Sequence, residues 1–299
     1  MRKVGPRVLA MIERQEWLDR PSYRLEHILT LLFNALGRMR DRVMNALNGV
    51  WLGHPAHPPL ASLASGALGT TVALDALSLV PGRRPAADRN TAQIASHALG
   101  LGIVASIASA VTGASDWQHT HREDRRVGLV HGAVNSCATL LYGLSWRDRR
   151  HGRRLRGVGL AAAGYAVTLG GSYLGGALVF DYGIGVDRSG ARLRNSQWTP
   201  VLPAGALNGK PVRVEVDGVG LVVCQGDPGQ VAVFGEFCPH LAAPMADGWV
   251  DRGRIVCPWH GSRFALETGE VLRGPSAAPL PCYEARVMEG NVEVRGVAN

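Results

Sequence analysis

Four apolar stretches, each long enough to cross a lipid bilayer, constrain the fold of this chain more than any other feature. They run at about 59–80, 91–115, 127–145 and 158–180. A helix needs about 20 apolar residues to span the hydrocarbon core, and abundant Gly and Ala let such helices pack closely in lipid. The sequence therefore predicts a four-helix transmembrane bundle. A soluble four-helix bundle is the alternative, because Ala-rich helices that carry Asp75 and His97 are only mildly apolar.

The first fifty residues differ in character from these stretches. No long apolar core precedes a small-residue cleavage site, so we expect no secretory signal here. Apolar residues recur at helical spacing and three arginines follow them. They are Leu25, Ile28, Leu29, Leu32, Phe33 and Leu36, then Arg38, Arg40 and Arg42. This pattern predicts an amphipathic helix on an anionic membrane surface, with packing on another protein segment as the alternative.

The composition changes sharply near residue 185. Beyond about residue 197, short runs alternate apolar and polar residues, as in PVRVEV at 211–216, and turns such as Asp217-Gly218 and Glu289-Gly290 separate them. This alternation predicts the hairpins of an antiparallel all-β domain. We therefore expect a multi-domain chain: a segment at 1–50, an all-α four-helix membrane domain at 51–185, a linker at 186–196 and an all-β sandwich at 197–297.

Two short loops in the β half each supply one Cys and one His. Cys238 and His240 form a C-x-H pair, and Cys257 and His260 form a C-x2-H pair after sixteen intervening residues. Two Cys and two His are the ligands of a [2Fe–2S] cluster in which neutral imidazoles replace two thiolates and raise the potential. A structural Cys2His2 zinc site is the alternative. Zinc fingers, however, usually place both cysteines before both histidines.

The region around these loops resembles a Rieske domain. The resemblance lies in CPHLAAPMADGWVDRGRIVCPWHGSRF at 238–264 and ETGEVLRGPSAAPLPCYEARVMEGNVEV at 267–294, and it extends over about 197–296. It implies that Cys238 and Cys257 bind one iron, and that His240 and His260 bind the other through exposed imidazoles. It also implies one [2Fe–2S] cluster per subunit, covered by a proline loop at 274–281.

Several positions separate this chain from the respiratory-complex branch of that family. Ala243 and Trp259 stand where that branch has a second pair of cysteines, so no disulfide can join the loops. Phe264 replaces a Tyr whose hydroxyl bonds a ligand sulfur, whereas Ser262 is kept and can donate to a bridging sulfide. Fewer hydrogen bonds to sulfur imply a lower potential. The pattern is more similar to small Rieske ferredoxins that feed oxygenases, and we expect a low-to-intermediate potential.

The helical half carries its own polar residues. They are His54 and His57 in a His-Pro-x-His-Pro motif, Asp75, His97, the Asp116-Trp117 pair, His131 and Asn135. The motif and the Asp-Trp pair resemble a family of uncharacterised four-helix bacterial membrane proteins over about 53–180. That resemblance implies no activity.

Polar groups inside a membrane bundle are expensive, which makes these residues functional candidates. His57 opens the first helix and His131 the third, so we expect both on one membrane side beside Asp116, with Asp75 and His97 toward the other. Three interpretations stay open. His57 and His131 bind a haem as two axial imidazoles, the polar residues form a quinone or proton site, or Asp–His hydrogen bonds hold the helices together.

Arginines bear on which side the cluster faces. Four helices place both termini on one side. The loops at 81–90 and 146–156 carry nine Arg on the opposite side, including a twin pair at Arg153-Arg154, and would by themselves place the termini outside the cytoplasm. Against this, residues 1–50 hold eight Arg and one Lys, and 118–127 hold three more. The absent disulfide also suits a reducing compartment, so we expect a multi-pass inner-membrane protein with a cytoplasmic cluster.

The function that follows is one-electron transfer at a membrane. The sequence offers no catalytic nucleophile, acid–base pair or nucleotide-binding loop, so we expect an electron-transfer component rather than a stand-alone enzyme. Cys224 and Cys282 are expected to be buried apolar fillers. The partners are the bilayer and a redox protein or quinone, and the charge speaks against nucleic acid because it lies beside apolar segments. The alternative is a redox sensor whose cluster state alters the four-helix domain.

Overall fold

The computed structural model describes residues 5–80, 85–226 and 230–296, and the chain divides into two compact units. One unit comprises residues up to Ala35 together with Ala56–Tyr182, and the other comprises Leu36–Pro55 together with residues from Gly183 onwards. The first unit is helical, and the second is built mainly from strands.

Long apolar helices dominate the first unit. The described residues form α1 (Gly5–Glu13), α2 (Asp19–Asn34), α3 (Arg40–Asn48), α4 (His57–Ser78), α5 (Pro85–Trp117), α6 (Arg122–Arg150) and α7 (Arg154–Phe180). All except α3 belong to the first unit. Four helices are long and apolar enough to cross a membrane: α4, residues Arg89–Trp117 of α5, α6 and α7. The predicted four-helix region is confirmed.

The α6 helix extends beyond its apolar stretch because its polar ends are capped. α6 begins with a capping box in which the His121 N–H donates to Asp124 Oδ1 at 3.1 Å, which satisfies a backbone group that the helix leaves unpaired. Its last turn carries Arg147, Arg149 and Arg150. These cations interact favourably with the negative end of the helix dipole, so the helix continues past its apolar part.

Two separate apolar clusters fill the helical unit. One contains Leu68, Leu99, Ala138 and Tyr142. The other joins α1 to α6 and α7 and contains Leu9, Ile12, Leu18, Val127, Leu174 and Ala177. The α1 helix is thus part of the core of this unit.

A buried ion pair links α4 to α6. The side chains of Asp75 and Arg149 are 2% and 6% exposed, and Arg149 Nη1 donates to Asp75 Oδ1 at 2.9 Å while Nη2 bonds Oδ2. The pairing explains how a carboxylate is tolerated in an apolar helix, because each charge is satisfied by the other. His97, on α5, is exposed.

Salt bridges tie α2 to the start of α6. Arg126 donates from Nε and Nη2 to the Asp19 carboxylate, each at 2.7 Å. The buried Arg125 donates to Glu26. The hydrogen bond from Arg126 holds the pKa of Asp19 below its ordinary value. The apolar side chains of α2 point elsewhere: Ile28 is 52% exposed and Leu32 is 61% exposed. Contact of this apolar face with lipid stays a prediction.

The second unit contains two antiparallel sheets. Its strands are β1 (Thr199–Pro203), β2 (Val212–Val216), β3 (Val219–Gln225), β4 (Val231–Gly235), β5 (Trp249–Val250), β6 (Arg254–Val256), β7 (Arg263–Ala265), β8 (Val271–Arg273), β9 (Cys282–Met288) and β10 (Asn291–Arg295). Six strands pair in the order β1-β10-β9-β4-β3-β2, and four pair in the order β5-β6-β7-β8. The predicted all-β class is confirmed.

Two hairpin turns form where the sequence predicts them. Asp217 and Gly218 join β2 to β3 with φ of 51° and 75°, and Glu289 and Gly290 join β9 to β10 with φ of 49° and 79°. Two successive residues in the left-handed region match the right-handed twist of the flanking strands. The segment predicted as a linker at 186–196 packs onto the β unit. Leu193 is buried among the strands, and the Leu193 N–H donates to Tyr283 Oη at 3.2 Å.

Candidate metal centre

The two Cys–His loops leave strands of different sheets in the second unit. The first follows β4 and carries Cys238 and His240, and the second connects β6 to β7 and carries Cys257 and His260. Both cysteines are buried, at 0% and 1% exposure, in a core cluster that also contains Phe264. Both histidines are partly exposed. Each loop thus presents an interior sulfur and a more outward imidazole.

The two loops share one backbone conformation. In each, the cysteine N–H donates to the carbonyl five residues on, at 2.9 Å and 2.8 Å, and the cysteine carbonyl accepts from the N–H four residues on, at 2.9 Å and 3.2 Å. The acceptors are Ala243 and Ser262, and the donors are Ala242 and Gly261. The donors have φ of 59° and 71°. That left-handed conformation is costly for Ala, and the surrounding hydrogen bonds hold it.

Backbone amides point at both sulfurs. The N–H groups of His240 and Leu241 donate to Cys238, and those of Trp259 and His260 donate to Cys257. The two thiols also hydrogen-bond to each other, which lowers the pKa of Cys257 and raises that of Cys238, where burial acts in the same direction. Amide donors stabilise charge on sulfur. The amides of both loops therefore lie where they would stabilise a cysteine sulfur bound to a metal as thiolate.

The two imidazoles stand edge to face. The ring centroids of His240 and His260 are 5.1 Å apart, with an interplanar angle of 87°. Burial first, and the nearby His260 second, lower the pKa of His240 to about 3. A neutral imidazole is the form that binds a metal ion. His240 is thus held in the ligating state at neutral pH.

The spacing of this pair fits one metal ion. Two imidazoles bonded at about 2.0–2.1 Å to one tetrahedral metal place their ring centroids about 5 Å apart. Within the described ranges, no three His, Cys, Asp or Glu side chains surround a single ion. The four side chains lie as two pairs, with the cysteine thiols in contact and the histidine ring centroids 5.1 Å apart.

Phe264 and Ser262, which follow the second loop, are both buried. Phe264 is fully buried in the cluster that holds both cysteines. Ser262 is fully buried too, and its Oγ accepts a hydrogen bond from the Ser276 N–H at 3.0 Å. That bond ties the second loop to the segment at 274–281, which the sequence predicts as the proline loop.

The remaining cysteines of the β unit fill the core. Cys224 is fully buried in the cluster beneath the loops, and burial raises the pKa of its thiol to about 12. Cys282 is partly buried against the same cluster. All five cysteines of the chain are free of disulfides. Their placement agrees with the prediction of apolar fillers.

A residue far away in sequence holds the segment after β8. Asn45, on α3, donates from Nδ2 to the Leu272 carbonyl at 3.1 Å and accepts at Oδ1 from the Gly274 N–H at 3.0 Å. Arg273 Nε lies 3.2 Å from Asp41 Oδ1. The asparagine amide acts as a neighbouring strand would, with one donor and one acceptor. Sequence analysis missed this contact because the partners are 227 and 229 residues apart.

The helical unit brings together a second histidine pair. The ring centroids of His57 and His131 are 6.4 Å apart, with an interplanar angle of 78°. His57 Nδ1 lies 2.8 Å from the Ser109 carbonyl, and His131 Nδ1 lies 2.9 Å from the Gly171 carbonyl. Of the other polar residues singled out in the sequence, Asn135 contacts His131. His97 is exposed, and Asp75 pairs with Arg149.

Comparison with known families agrees with both halves of the chain. Residues 197–284 match the Rieske [2Fe-2S] domain, and residues 53–188 match a family described as a predicted membrane protein, DUF2231. The first match implies a [2Fe–2S] cluster. The second, with the four long apolar helices, supports a membrane protein.

Similar proteins match the β unit. Apoptosis-inducing factor 3 of Mus musculus is 35% identical over 88 residues, which are 29% of this chain and 14% of that protein's length. The ferredoxin component of the naphthalene 1,2-dioxygenase system of Pseudomonas putida is 30% identical over 81 residues, or 27% of this chain and 77% of its own. The ferredoxin of carbazole 1,9a-dioxygenase from Nocardioides aromaticivorans IC177 is 26% identical, with a TM-score of 0.32, over 34% of this chain and 100% of its own.

Proposed function

This chain belongs to the Rieske [2Fe–2S] family, and on that basis we propose that it is a membrane-anchored one-electron carrier in which Cys238, Cys257, His240 and His260 hold the cluster. The observation that carries the proposal is the pair of matched loops, with the cysteines in contact and the histidine rings 5.1 Å apart. A bound cluster of this type accepts and releases one electron.

The surrounding residues are suited to that role. The four amide donors to the sulfurs stabilise negative charge there, and the buried Phe264 adds no hydroxyl. Hydrogen bonds to sulfur raise the potential of such a centre. The apolar core excludes water from the cysteines, while the histidines reach the surface. We expect a low-to-intermediate potential, with electrons entering and leaving on the histidine side.

An exposed tryptophan marks the docking face beside the histidines. Trp259 is 56% exposed, and its ring centroid lies 6.4 Å from that of His260. Exposed aromatic residues are frequent anchors at protein interfaces. The Pseudomonas putida ferredoxin is by its name part of a dioxygenase system, so a separate redox protein is the partner that the likeness favours. A membrane quinone is the second candidate, because the carrier is anchored in the bilayer.

The proposed location is the bacterial inner membrane, with the cluster domain in the cytoplasm. Eight Arg and one Lys at 1–50 and three Arg at 118–127 lie on the side of the termini, against nine Arg at 81–90 and 146–156. The larger basic count favours the cytoplasm for the termini. A cysteine added after Asn299 tests this: an impermeant thiol reagent should label it only after cell lysis. Labelling in intact cells would reverse the orientation.

The carrier role is tested by turnover in membranes. The purified full chain, reconstituted with membranes supplied with NAD(P)H or quinol, should show cluster reduction that reoxidises when an acceptor is added. Trp259→Ala should slow this exchange and leave the potential unchanged, whereas Trp249→Ala should change neither. Trp249 is the matched control because it is 51% exposed on β5. A cluster that is never reduced by energised membranes would favour the redox-sensor alternative.

A further inference from the structure

The helical unit holds two imidazoles in matching surroundings. In the α4–α5 hairpin, His57 bonds the Ser109 carbonyl and its ring lies against Gly113. In the α6–α7 hairpin, His131 bonds the Gly171 carbonyl and its ring lies against Gly175. In both hairpins the glycine stands four residues after the carbonyl. Each hairpin therefore supplies one imidazole, the carbonyl that it hydrogen-bonds and a glycine that leaves room for the ring.

Each glycine is required by the ring that it faces. A Cβ at Gly113 would lie 2.9 Å from His57 Nδ1, and a Cβ at Gly175 would lie 2.9 Å from His131 Cε1. Contacts this short do not occur for real side chains without a shift of the neighbour. The rings are thus wedged against the backbone of the facing helix. Their orientation is fixed on one side by packing and on the other by the carbonyl bond.

The hydrogen bonds to the carbonyls of Ser109 and Gly171 also determine the tautomers of His57 and His131. A carbonyl oxygen accepts only, so Nδ1 of each ring carries the proton and Nε2 carries the lone pair. Fixing an imidazole by a carbonyl at one nitrogen is the usual support for a histidine that binds a metal at the other. His57 Nε2 has no hydrogen-bond partner among the described residues. His57 Nε2 is therefore open to a metal, whereas His131 Nε2 lies 3.4 Å from the Asn135 Nδ2 amide, which a metal bound there would displace.

The separation of the rings can be compared with the separations that different metal geometries require. Bonds of about 2.0–2.1 Å on opposite sides of one ion would place two imidazole centroids about 6.3 Å apart, against about 5 Å for tetrahedral bonding. The observed value is 6.4 Å. The pair fits trans, axial coordination.

A metal ion bound by this histidine pair needs further donors. No third His, Cys, Asp or Glu joins the pair within the part of the chain that the structure describes. A bare transition-metal ion needs four or more donors, so the occupant must bring its own in-plane ligands. Iron in a porphyrin meets that need, since four positions are filled and two axial positions are left. The apolar faces of the macrocycle also suit a transmembrane bundle.

We propose that His57 and His131 are the two axial ligands of a b-type haem held between the α4–α5 and α6–α7 hairpins. The site goes beyond the proposed function, because it is a second centre in the helical unit and is independent of the cluster. Its occupant is iron protoporphyrin, bound through Nε2 of each histidine.

The test is the haem content of the full chain, expressed with a haem precursor and purified in detergent. We expect one low-spin haem per [2Fe–2S] cluster by pyridine haemochrome assay. The near-perpendicular rings should give a strongly anisotropic ferric EPR signal. His57→Ala and His131→Ala should each lower bound haem to less than about a tenth, because even the loss of an outer-shell partner costs about 10–100-fold in affinity. His97→Ala is the matched control and should bind haem normally.

Two further readouts separate ligation from a structural role. The [2Fe–2S] EPR signal should persist in both histidine variants, which shows that the β unit is folded and that this test is independent of the proposed carrier function, and the helical circular dichroism of both variants should match that of the wild type. In His131→Gly, added imidazole should restore the low-spin spectrum. A wild-type chain with a full cluster and no haem would overturn the proposal. So would equal haem loss in His97→Ala, or one equivalent of a non-haem metal at this site.

Discussion

The two histidine pairs of this chain are alike in residue type and nearly perpendicular in ring orientation, but they differ in spacing and support. His240 and His260 are 5.1 Å apart and come from loops. His57 and His131 are 6.4 Å apart and come from helices. The closer pair fits one tetrahedral metal, and the wider pair fits opposite sides of one. The spacing of two rings thus distinguishes the metal geometry where the residue types alone do not.

The support of the two pairs differs for a physical reason. In the loops, free backbone N–H groups are available and bond the sulfurs beside the histidines. In the helices, the backbone groups are used within the helix, and only carbonyls with a spare lone pair remain to hold a side chain. Accordingly His57 and His131 are held by carbonyls of Ser109 and Gly171. The free N–H groups of the loops therefore suit the cysteine sulfurs, and the helix carbonyls suit the N–H of a neutral imidazole.

The largest expected effect is the loss of the [2Fe–2S] cluster without any change at the proposed haem site. Cys257→Ser should abolish the [2Fe–2S] signal, because a ligand thiolate is lost, while haem binding in the helical unit stays as in the wild type. Cys224→Ala is the matched control, since Cys224 is equally buried in the same core. EPR and iron content measure both variants. Retention of the cluster in Cys257→Ser would contradict the ligand assignment.

A large effect on stability is expected at the buried ion pair. Asp75→Asn should destabilise the helical unit by about 3–5 kcal/mol, because it leaves Arg149 buried without its counter-charge. Thermal unfolding in detergent, followed by circular dichroism, measures the change. The double variant Asp75→Leu with Arg149→Met should recover most of the loss. A single variant as stable as the wild type would mean that the pair carries no structural role.

An intermediate effect is expected on the potential of the cluster. His260→Cys should keep a cluster and lower its potential by on the order of 100 mV or more, because a charged thiolate replaces a neutral imidazole. Redox titration followed by EPR gives the value. Trp259→Phe, at the adjacent position, serves as the control and should leave the potential near that of the wild type. An unchanged potential in His260→Cys would mean that His260 is not a ligand.

A smaller effect is expected at the asparagine that holds the segment after β8. Asn45→Ala removes two hydrogen bonds to 272–274 and should cost about 1–3 kcal/mol of local stability. Hydrogen exchange at the Gly274 amide should accelerate accordingly. Asn34→Ala is the control, because Asn34 is exposed at the end of α2. Equal exchange in both variants would show that the Asn45 bonds do not hold this segment.

Features set by local sequence were predictable. A helix that spans a bilayer needs a continuous apolar run, so α4 to α7 are visible without a structure. The turns at Asp217-Gly218 and Glu289-Gly290 follow from the left-handed conformations that these residues accept. The Cys–His loops were predictable as well, because both ligands of a loop lie within four residues.

Features set by backbone groups far away in sequence were not predictable. Asn45 bonds the backbone of Leu272 and Gly274, and any residue there except Pro would offer the same groups. The carbonyl bond of His57 likewise spans 52 residues. His57 and His131 could be named as candidates, but their spacing, which decides the geometry of a bound metal, appears only in the fold. The ends of α6 were underestimated because its polar turns are capped.

The central claim is that the cluster takes two imidazoles on one iron and two thiolates on the other. Pulsed EPR of the reduced, purified chain tests it most directly, since it detects nitrogen nuclei bonded to the iron. We predict two strongly coupled nitrogens in the wild type and one in His260→Cys. A reduced cluster with no coupled nitrogen, or a chain with stoichiometric zinc and no cluster signal, would contradict the account.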